Sequence, residues 1–144
     1  MSIQVKVIDH VLRPVEKVFN SIVDPTQITK YFVSDANDKL VEGNKVSWEF
    51  KDYNVKLNVE VLKVIENEQI IFDWEASGNK ARVSMSFSSE EENKTKLVIT
   101  EDFFETNEEG IAKALQQTQG WTDFICSLKA YLYTGINLRN GKMN

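Results

Sequence analysis

The chain has 144 residues, of which 42% are hydrophobic and 27% charged, and its formal net charge at pH 7 is −5. This composition fits one globular domain, and the acidic balance without a Lys/Arg cluster argues against a nucleic acid as the main partner. No stretch reaches the roughly 18 apolar residues of a membrane span, the N-terminal residues do not resemble a signal peptide, and the single cysteine, Cys126, cannot form an internal disulfide, so we expect a cytoplasmic protein.

The first part of the chain predicts a strand followed by two short helices. Residues 2–8 alternate between apolar and polar side chains, which is typical of a strand. Pro14 and Pro25 each open a segment with helical apolar spacing, and proline is well tolerated in the first turn of a helix. The sequence therefore predicts a helix within residues 13–23 and a second helical turn within residues 26–32.

The middle of the chain predicts at least five consecutive strands joined by short turns, which means an antiparallel meander with one apolar face. Residues 34–44 are polar and leave room for a short edge strand. The apolar phase shifts by one residue at Leu62 and Val64, which indicates either a bulge or a strand buried on both sides. Turns are predicted at residues 52–54, 66–68 and 77–79, and a solvated hairpin tip at residues 90–93.

The last part of the chain predicts a long amphipathic helix. Apolar residues recur from Trp121 to Leu132 at the i, i+3, i+4, i+7 spacing. Gly135 follows where a helix-ending residue in the left-handed conformation is expected. Residues 106–109 match a capping box, so the helix is expected to begin there, and Gly120 is a candidate for a break or kink.

Four motifs, in order along the chain, resemble those of a known family. They are Arg13–Phe19 followed by Asp24-Pro25, Glu42-Gly43 followed by Trp48-Glu-Phe50, the strand pair from Val61 to Trp74, and Gly120-Trp121 followed by Gly135. Together they resemble domains like the activator of the 90-kDa heat-shock-protein ATPase homologue, within the START-like (SRPBCC) superfamily. The resemblance implies an α+β helix-grip fold, as a single domain over residues 1–144. It would have a curved antiparallel sheet of about six or seven strands, two short helices after the first strand and a long C-terminal helix packed across the sheet.

The resemblance also implies a function. Other relatives of the fold are similar to lipid, hormone or polyketide binders, so we expect a small hydrophobic or amphipathic molecule to bind in a cavity between sheet and C-terminal helix, without catalysis. The identity of this molecule is left open. Two alternatives also stay open. One is a co-chaperone-like or stress-related module that contacts a chaperone or a second copy of the chain, and the other is a small cyclase- or hydrolase-type enzyme.

Large apolar side chains converge between the predicted sheet and the last helix, where they either pack as a plain core or line a cavity, since ligand sites are mostly apolar. Strand alternation places Glu101 on the inner face, either as a polar anchor or as a strand end that reaches solvent. A slip of one residue would put Asp102 inside instead. The predicted lining residues are Tyr31, Trp48, Phe50, Phe72, Trp74, Met85, Phe87, Ile99, Glu101, Phe103, Trp121, Phe124, Ile125 and Leu128.

Groups that could carry chemistry are few. His10, the single histidine, lies beside Asp9; the pair could be a base held by a carboxylate, but we expect it in a surface turn after the first strand. Nothing basic near Cys126 favours a thiolate. Metal-ligand spacings, phosphate-binding loops, nucleophile elbows and dinucleotide motifs are all missing from the sequence. We therefore expect no catalytic residue, no metal and no cofactor. The outer face of the last helix, with Cys126, Ala130 and Tyr133, is a candidate surface for a homodimer contact.

Overall fold

A seven-stranded antiparallel sheet forms the body of the computed structural model, which describes residues 2–141. The strands are β1 (Ser2–Val11), β2 (Asp35–Ala36), β3 (Lys45–Phe50), β4 (Val55–Ile65), β5 (Gln69–Trp74), β6 (Ala81–Glu91) and β7 (Lys94–Glu105). Their order across the sheet is β1-β7-β6-β5-β4-β3-β2, so β2 to β7 form the predicted meander and β1 pairs with the far edge of β7.

Three α-helices lie within the described residues: α1 (Val15–Val23), α2 (Pro25–Ile28) and α3 (Glu108–Thr134). The two short helices directly follow β1, and α3 packs against β1 and β7. Apolar side chains at helical spacing bury one face of α1, with Phe19 and Ile22 in the core. This arrangement confirms the predicted α+β helix-grip fold.

The long helix α3 runs without interruption through Gly120, which is exposed and leaves the neighbouring apolar stripe intact. The side chain of Asn107 accepts a hydrogen bond from the main-chain N–H of Gly110 at 2.7 Å. Asn107 is therefore the N-cap, one residue after the Thr106 of the predicted capping box. Gly135 ends the helix with φ 77°, the left-handed conformation predicted for it.

The change of apolar phase in β4 is a bulge. The pairing between β4 and β5 shifts register between Val61 and Lys63, and Leu62 between them is exposed. A strand buried on both sides would have covered Leu62 as well. The extra residue returns Val64 to partial burial on the side that Val61 occupies.

A second register shift, in the pairing of β1 with β7, changes which phenylalanine enters the core. Val5 pairs with Glu101 and Ile3 with Phe104, so two residues of β7 lie opposite one residue of β1. As a result Phe104 is 5% exposed and Phe103 is 70% exposed. The prediction that Phe103 lines the interior is wrong, because strict alternation does not allow for the extra residue.

The connections agree with the predicted turns. A 3-10 turn over Lys51–Tyr53 and a left-handed Asn54 link β3 to β4. Asn67 has φ 62° in the turn between β4 and β5, where asparagine is one of the few side chains that tolerate this conformation. His10, by contrast, lies inside β1 and not in a turn after it, because the strand continues to Val11.

Candidate functional site

Large rings fill the space between the inner face of the sheet and α3. Trp48 contacts Phe72 with ring centroids 5.6 Å apart, and Phe72 contacts Trp74 at 5.4 Å. Trp74 stacks on Trp121 of α3 at 5.3 Å, and Trp121 meets Phe124 edge-on at the same separation. All five rings are buried. Strand β5 and the apolar stripe of α3 thus bring rings that are distant in sequence into one continuous cluster.

The segment after α2 extends this cluster on one side. Phe32 meets Phe124 at 4.7 Å and Phe50 at 5.1 Å between ring centroids. Tyr31 stacks on Tyr131 of α3 at 5.3 Å. The Tyr31 hydroxyl donates to a main-chain carbonyl of α1 at 3.0 Å, and burial raises the pKa of this hydroxyl well above its ordinary value. Tyr31 is therefore held inside the fold as a neutral group.

The remaining predicted lining residues lie in the same interior. Met85, Ile99, Ile125 and Leu128 are buried, and Phe87 packs edge-on against a ring of α1. The structure therefore brings together every predicted lining residue except Phe103. Whether these side chains contact a ligand stays a prediction.

Glu101 is the charged residue at the centre of this site. Its side chain is on the inner face and its exposure is 0%. Trp121 Nε1 donates to Glu101 Oε1 at 2.8 Å, and Gln117 Nε2 donates to the same oxygen at 3.0 Å. Trp74 Nε1 donates to Oε2 at 3.0 Å. Donors from the sheet and from α3 thus meet at one carboxyl group. The sequence left open which acidic residue lies on the inner face, and this residue is Glu101 and not Asp102.

The donors to Glu101 are neutral. None of the ion pairs found within residues 2–141 includes it. Arg82, the arginine that pairs with the neighbouring Asp102 in the β6–β7 register, points to the other face. There its Nε and Nη2 atoms donate to the two oxygens of Asp73 at 3.0 and 3.2 Å. Burying a carboxylate costs several kcal/mol, and hydrogen bonds to a charged group return about 1.5–3 kcal/mol each.

Beyond α3 the chain turns back and brings Arg139 to the edge of the ring cluster. The guanidinium carbon lies 5.7 Å from the centroid of Phe32, 5.9 Å from that of Phe50 and 5.7 Å from that of Tyr53. Its Nη1 atom is 3.3 Å from Asp123 Oδ2 on α3. Sequence reasoning missed this contact. The available signal was a single arginine in a polar segment just past the helix-ending glycine.

Two open depressions of about 230 Å³ each are found on the surface. One borders Phe32, Ser34, Asp52 and Arg139, at the edge of the ring cluster. The other is lined mainly by charged and polar residues of β3, β4 and β5, together with Trp74. Both depressions therefore border the ring cluster, the first at Phe32 and the second at Trp74.

The groups with reactive side chains lie away from this site. His10 Nε2 is 2.7 Å from Glu90 Oε1 at the surface, and Cys126 is exposed as expected. Tyr133 does not belong to a free outer face with Cys126, because its hydroxyl accepts from the Leu12 N–H at 2.8 Å. Within residues 2–141 no group of three or more potential metal ligands is found, and no helix there is long and apolar enough to cross a membrane. The cytoplasmic location stays a prediction.

An α+β domain with a long helix across a seven-stranded antiparallel sheet, two short helices after β1 and a ring-filled interior defines a helix-grip-like protein. The family model described as "Activator of Hsp90 ATPase homolog 1-like protein" matches residues 13–133, and the chain belongs to this family. The resemblance read from the sequence motifs is thereby confirmed.

Solved structures share this fold over nearly the whole chain. A protein from Staphylococcus saprophyticus is 26% identical, with 95% of this chain and 96% of that chain covered and a TM-score of 0.83. The Aha1 dimer from Colwellia psychrerythraea is 18% identical, with 92% and 98% covered and a TM-score of 0.79. An HSP90 activator from Plasmodium falciparum is 23% identical, with 90% and 96% covered and a TM-score of 0.73. Among curated proteins, none matches the sequence significantly.

Proposed function

We propose that this domain binds a small amphipathic molecule between the sheet and α3, without catalysis. The observation that carries the proposal is the Glu101 carboxyl group, which is fully buried among rings and whose donors among residues 2–141 are all neutral. A cationic or hydrogen-bond-donating end of a ligand would complete this site, and the rings would contact its apolar body. We therefore expect a ligand such as an amine or alcohol on a hydrophobic skeleton.

Gln117 is the donor that a ligand would replace. It is half-buried, whereas Trp74 and Trp121 are fixed in the ring cluster. A ligand amine at the position of the Gln117 amide would keep both indole hydrogen bonds and would add a positive charge opposite the carboxylate, which an amide cannot supply. The carboxyl group would then have three hydrogen-bond donors both before and after binding.

The depression beside Phe32 offers an entrance. The Phe32 ring lies 6.2 Å from Trp121, and Trp121 bonds to Glu101, so two successive rings separate this depression from the carboxyl group. Ligand sites usually have volumes of roughly 300–1,000 Å³, and this depression has about 230 Å³. Binding would therefore require Phe32 and α3 to move apart, as happens when a ligand selects a minor, more open conformation.

A set of three ligands with equal alkyl chains tests this function. Native mass spectrometry and tryptophan fluorescence would compare a long-chain amine, alcohol and carboxylic acid. We expect the amine to bind best and the acid worst. Glu101→Gln should remove this preference, and Glu92→Gln, at an exposed position, should leave it unchanged. If none of the three binds below about 100 μM, near −5.5 kcal/mol, the interior is packed and closed, and the proposal is wrong.

A second candidate is a protein-interaction module, which would work through the surface and need no open interior. The continuous contacts among the buried rings favour it, and one structural relative is described as an HSP90 activator and another as an Aha1 dimer. The ATPase rate of a 90-kDa heat-shock chaperone would be measured with and without the domain, and sedimentation would report self-association. An unchanged rate and a monomer at high concentration would exclude this candidate.

A further inference from the structure

We propose that Phe32, Phe50, Tyr53 and Asp123 form a guanidinium site, which the chain's own Arg139 fills. A guanidinium group from another molecule would bind there in competition with Arg139. The proposal concerns the surface edge of the ring cluster. It does not depend on ligand binding at Glu101, so either proposal can fail while the other holds.

The geometry of the three rings matches a planar cation. The Arg139 guanidinium carbon is between 5.7 and 5.9 Å from all three centroids, inside the roughly 6 Å range of cation–π attraction. The rings come from two distant parts of the chain, the segment after α2 and residues 50–53 at the end of β3, and Asp123 comes from α3. A site assembled from three distant parts of the chain around one group is a feature of the tertiary fold and does not follow from local chain geometry.

Asp123 supplies the charge for this guanidinium site. Its Oδ2 atom is 3.3 Å from Arg139 Nη1, and the Arg139 side chain is 12% exposed. Burial strengthens both the ion pair and the cation–π contacts, because the local dielectric is lower than in water. A planar, weakly hydrated guanidinium suits such a site better than an ammonium group, which holds its water more strongly.

Arg139 is a replaceable occupant. The other hydrogen bonds found for residues 136–141 are local, such as the Arg139 N–H to Asn137 Oδ1 at 2.9 Å and the Asn140 N–H to the Asn137 carbonyl at 3.3 Å. Ile136 and Leu138 are exposed. Apart from these local bonds, the polar and ring contacts found between this segment and the rest of the domain are those of the Arg139 side chain. The adjoining depression of about 230 Å³ gives room for the rest of an incoming molecule.

The test uses the full chain with Arg139→Ala, and N-methylguanidinium as the probe. A tethered occupant competes at an effective concentration of about millimolar or more. We therefore expect saturable, millimolar binding to Arg139→Ala and at least about tenfold weaker binding to the parent chain, a difference of about 1.4 kcal/mol. Shifts of the Phe32 and Tyr53 ring protons in NMR spectra would report occupation of the site. Methylammonium, with the same charge but no plane, should bind more weakly than N-methylguanidinium.

Two further sets of measurements show whether the site prefers a guanidinium group on a polypeptide or on a small molecule, and control for failure of a variant to fold. The hexapeptide of residues 136–141 competes as an arginine side chain on a polypeptide, and N-methylguanidinium as a free small molecule, so their relative affinities identify the preferred source. Arg139→Met keeps an aliphatic side chain of similar reach if Arg139→Ala does not fold. Tyr53→Ala in the Arg139→Ala background should abolish binding. Equal binding to the parent chain and the Arg139 variants, or binding that survives Tyr53→Ala, would overturn the proposal.

Discussion

Replacing Trp121 by Phe would remove one donor to the buried Glu101 carboxyl group and leave most of the ring in place. Trp121 is 2% exposed, and its Nε1 atom is 2.8 Å from Oε1. A hydrogen bond to a charged group contributes about 1.5–3 kcal/mol. The smaller ring also loses contact with Trp74 and Phe124, a loss of about 1 kcal/mol for a void of methyl size. We therefore expect the free energy of unfolding to fall by about 2.5–4 kcal/mol.

The assay is urea denaturation, with Trp48→Phe as the matched control. Trp48 is buried in the same ring cluster, but it is not one of the donors found for Glu101. Its substitution makes the same change of ring and tests packing alone. The difference between the two variants should be about 1.5 kcal/mol or more. If both variants lose the same free energy of unfolding, the argument that the hydrogen bond to the carboxyl group stabilises the packing of the helix on the sheet is refuted.

Three further predictions concern residues whose burial or contacts are known from the structure and not from the sequence. Phe103→Ala should change the free energy of unfolding by less than about 0.5 kcal/mol, whereas Phe104→Ala should lower it by about 3–5 kcal/mol; similar urea midpoints would contradict the bulge in β7. Gly120→Ala should raise the stability by up to about 1 kcal/mol, because nothing lies within 4 Å of the added Cβ. Gly110→Ala should lower it strongly, because its Cβ would overlap a main-chain carbonyl just before α3; thermal unfolding of both glycine variants would check this contrast. Hydrogen bonds from the first turn of α2 lower the pKa of Asp24 in the folded state. Its contribution to stability is therefore present above the unfolded pKa of about 3.9 and is lost as pH falls through the folded pKa. Asp24→Asn should remove this part of the loss of stability in acid, as measured by the free energy of unfolding at several pH values.

The parts of the fold that follow from local patterns could be predicted from the sequence. The stripe that begins at Trp121 identified the buried face of α3, because 3.6-residue periodicity is a property of one helix alone. Gly135 was assigned correctly for a similar reason, since the left-handed conformation at a helix end is most accessible to glycine. In both cases the deciding interaction lies within a few residues of the chain.

The features that were missed depend on a distant partner. The alternation in β7 could place Glu101 correctly, but the next inward residue depended on how β1 pairs with it, and this exchanged Phe103 for Phe104. The contacts of Glu101 with the two indoles join residues 27 and 20 positions away. The sequence could place each side chain on a face. It could not show that three donors would meet at one carboxyl group.

The three arginines of the chain show how such tertiary contacts use a planar cation. Arg82 forms a bidentate contact with Asp73. The guanidinium carbon of Arg13 lies 4.9 Å from the ring centroid of Tyr133, and Arg139 fills the guanidinium site. The chain's other basic residues are lysines, apart from its one histidine. Lysine would keep the charge at each arginine position but could neither stack on a ring as a plane nor bind two carboxylate oxygens in parallel. The use of arginine at all three positions therefore reflects the shape of the cation as well as its charge.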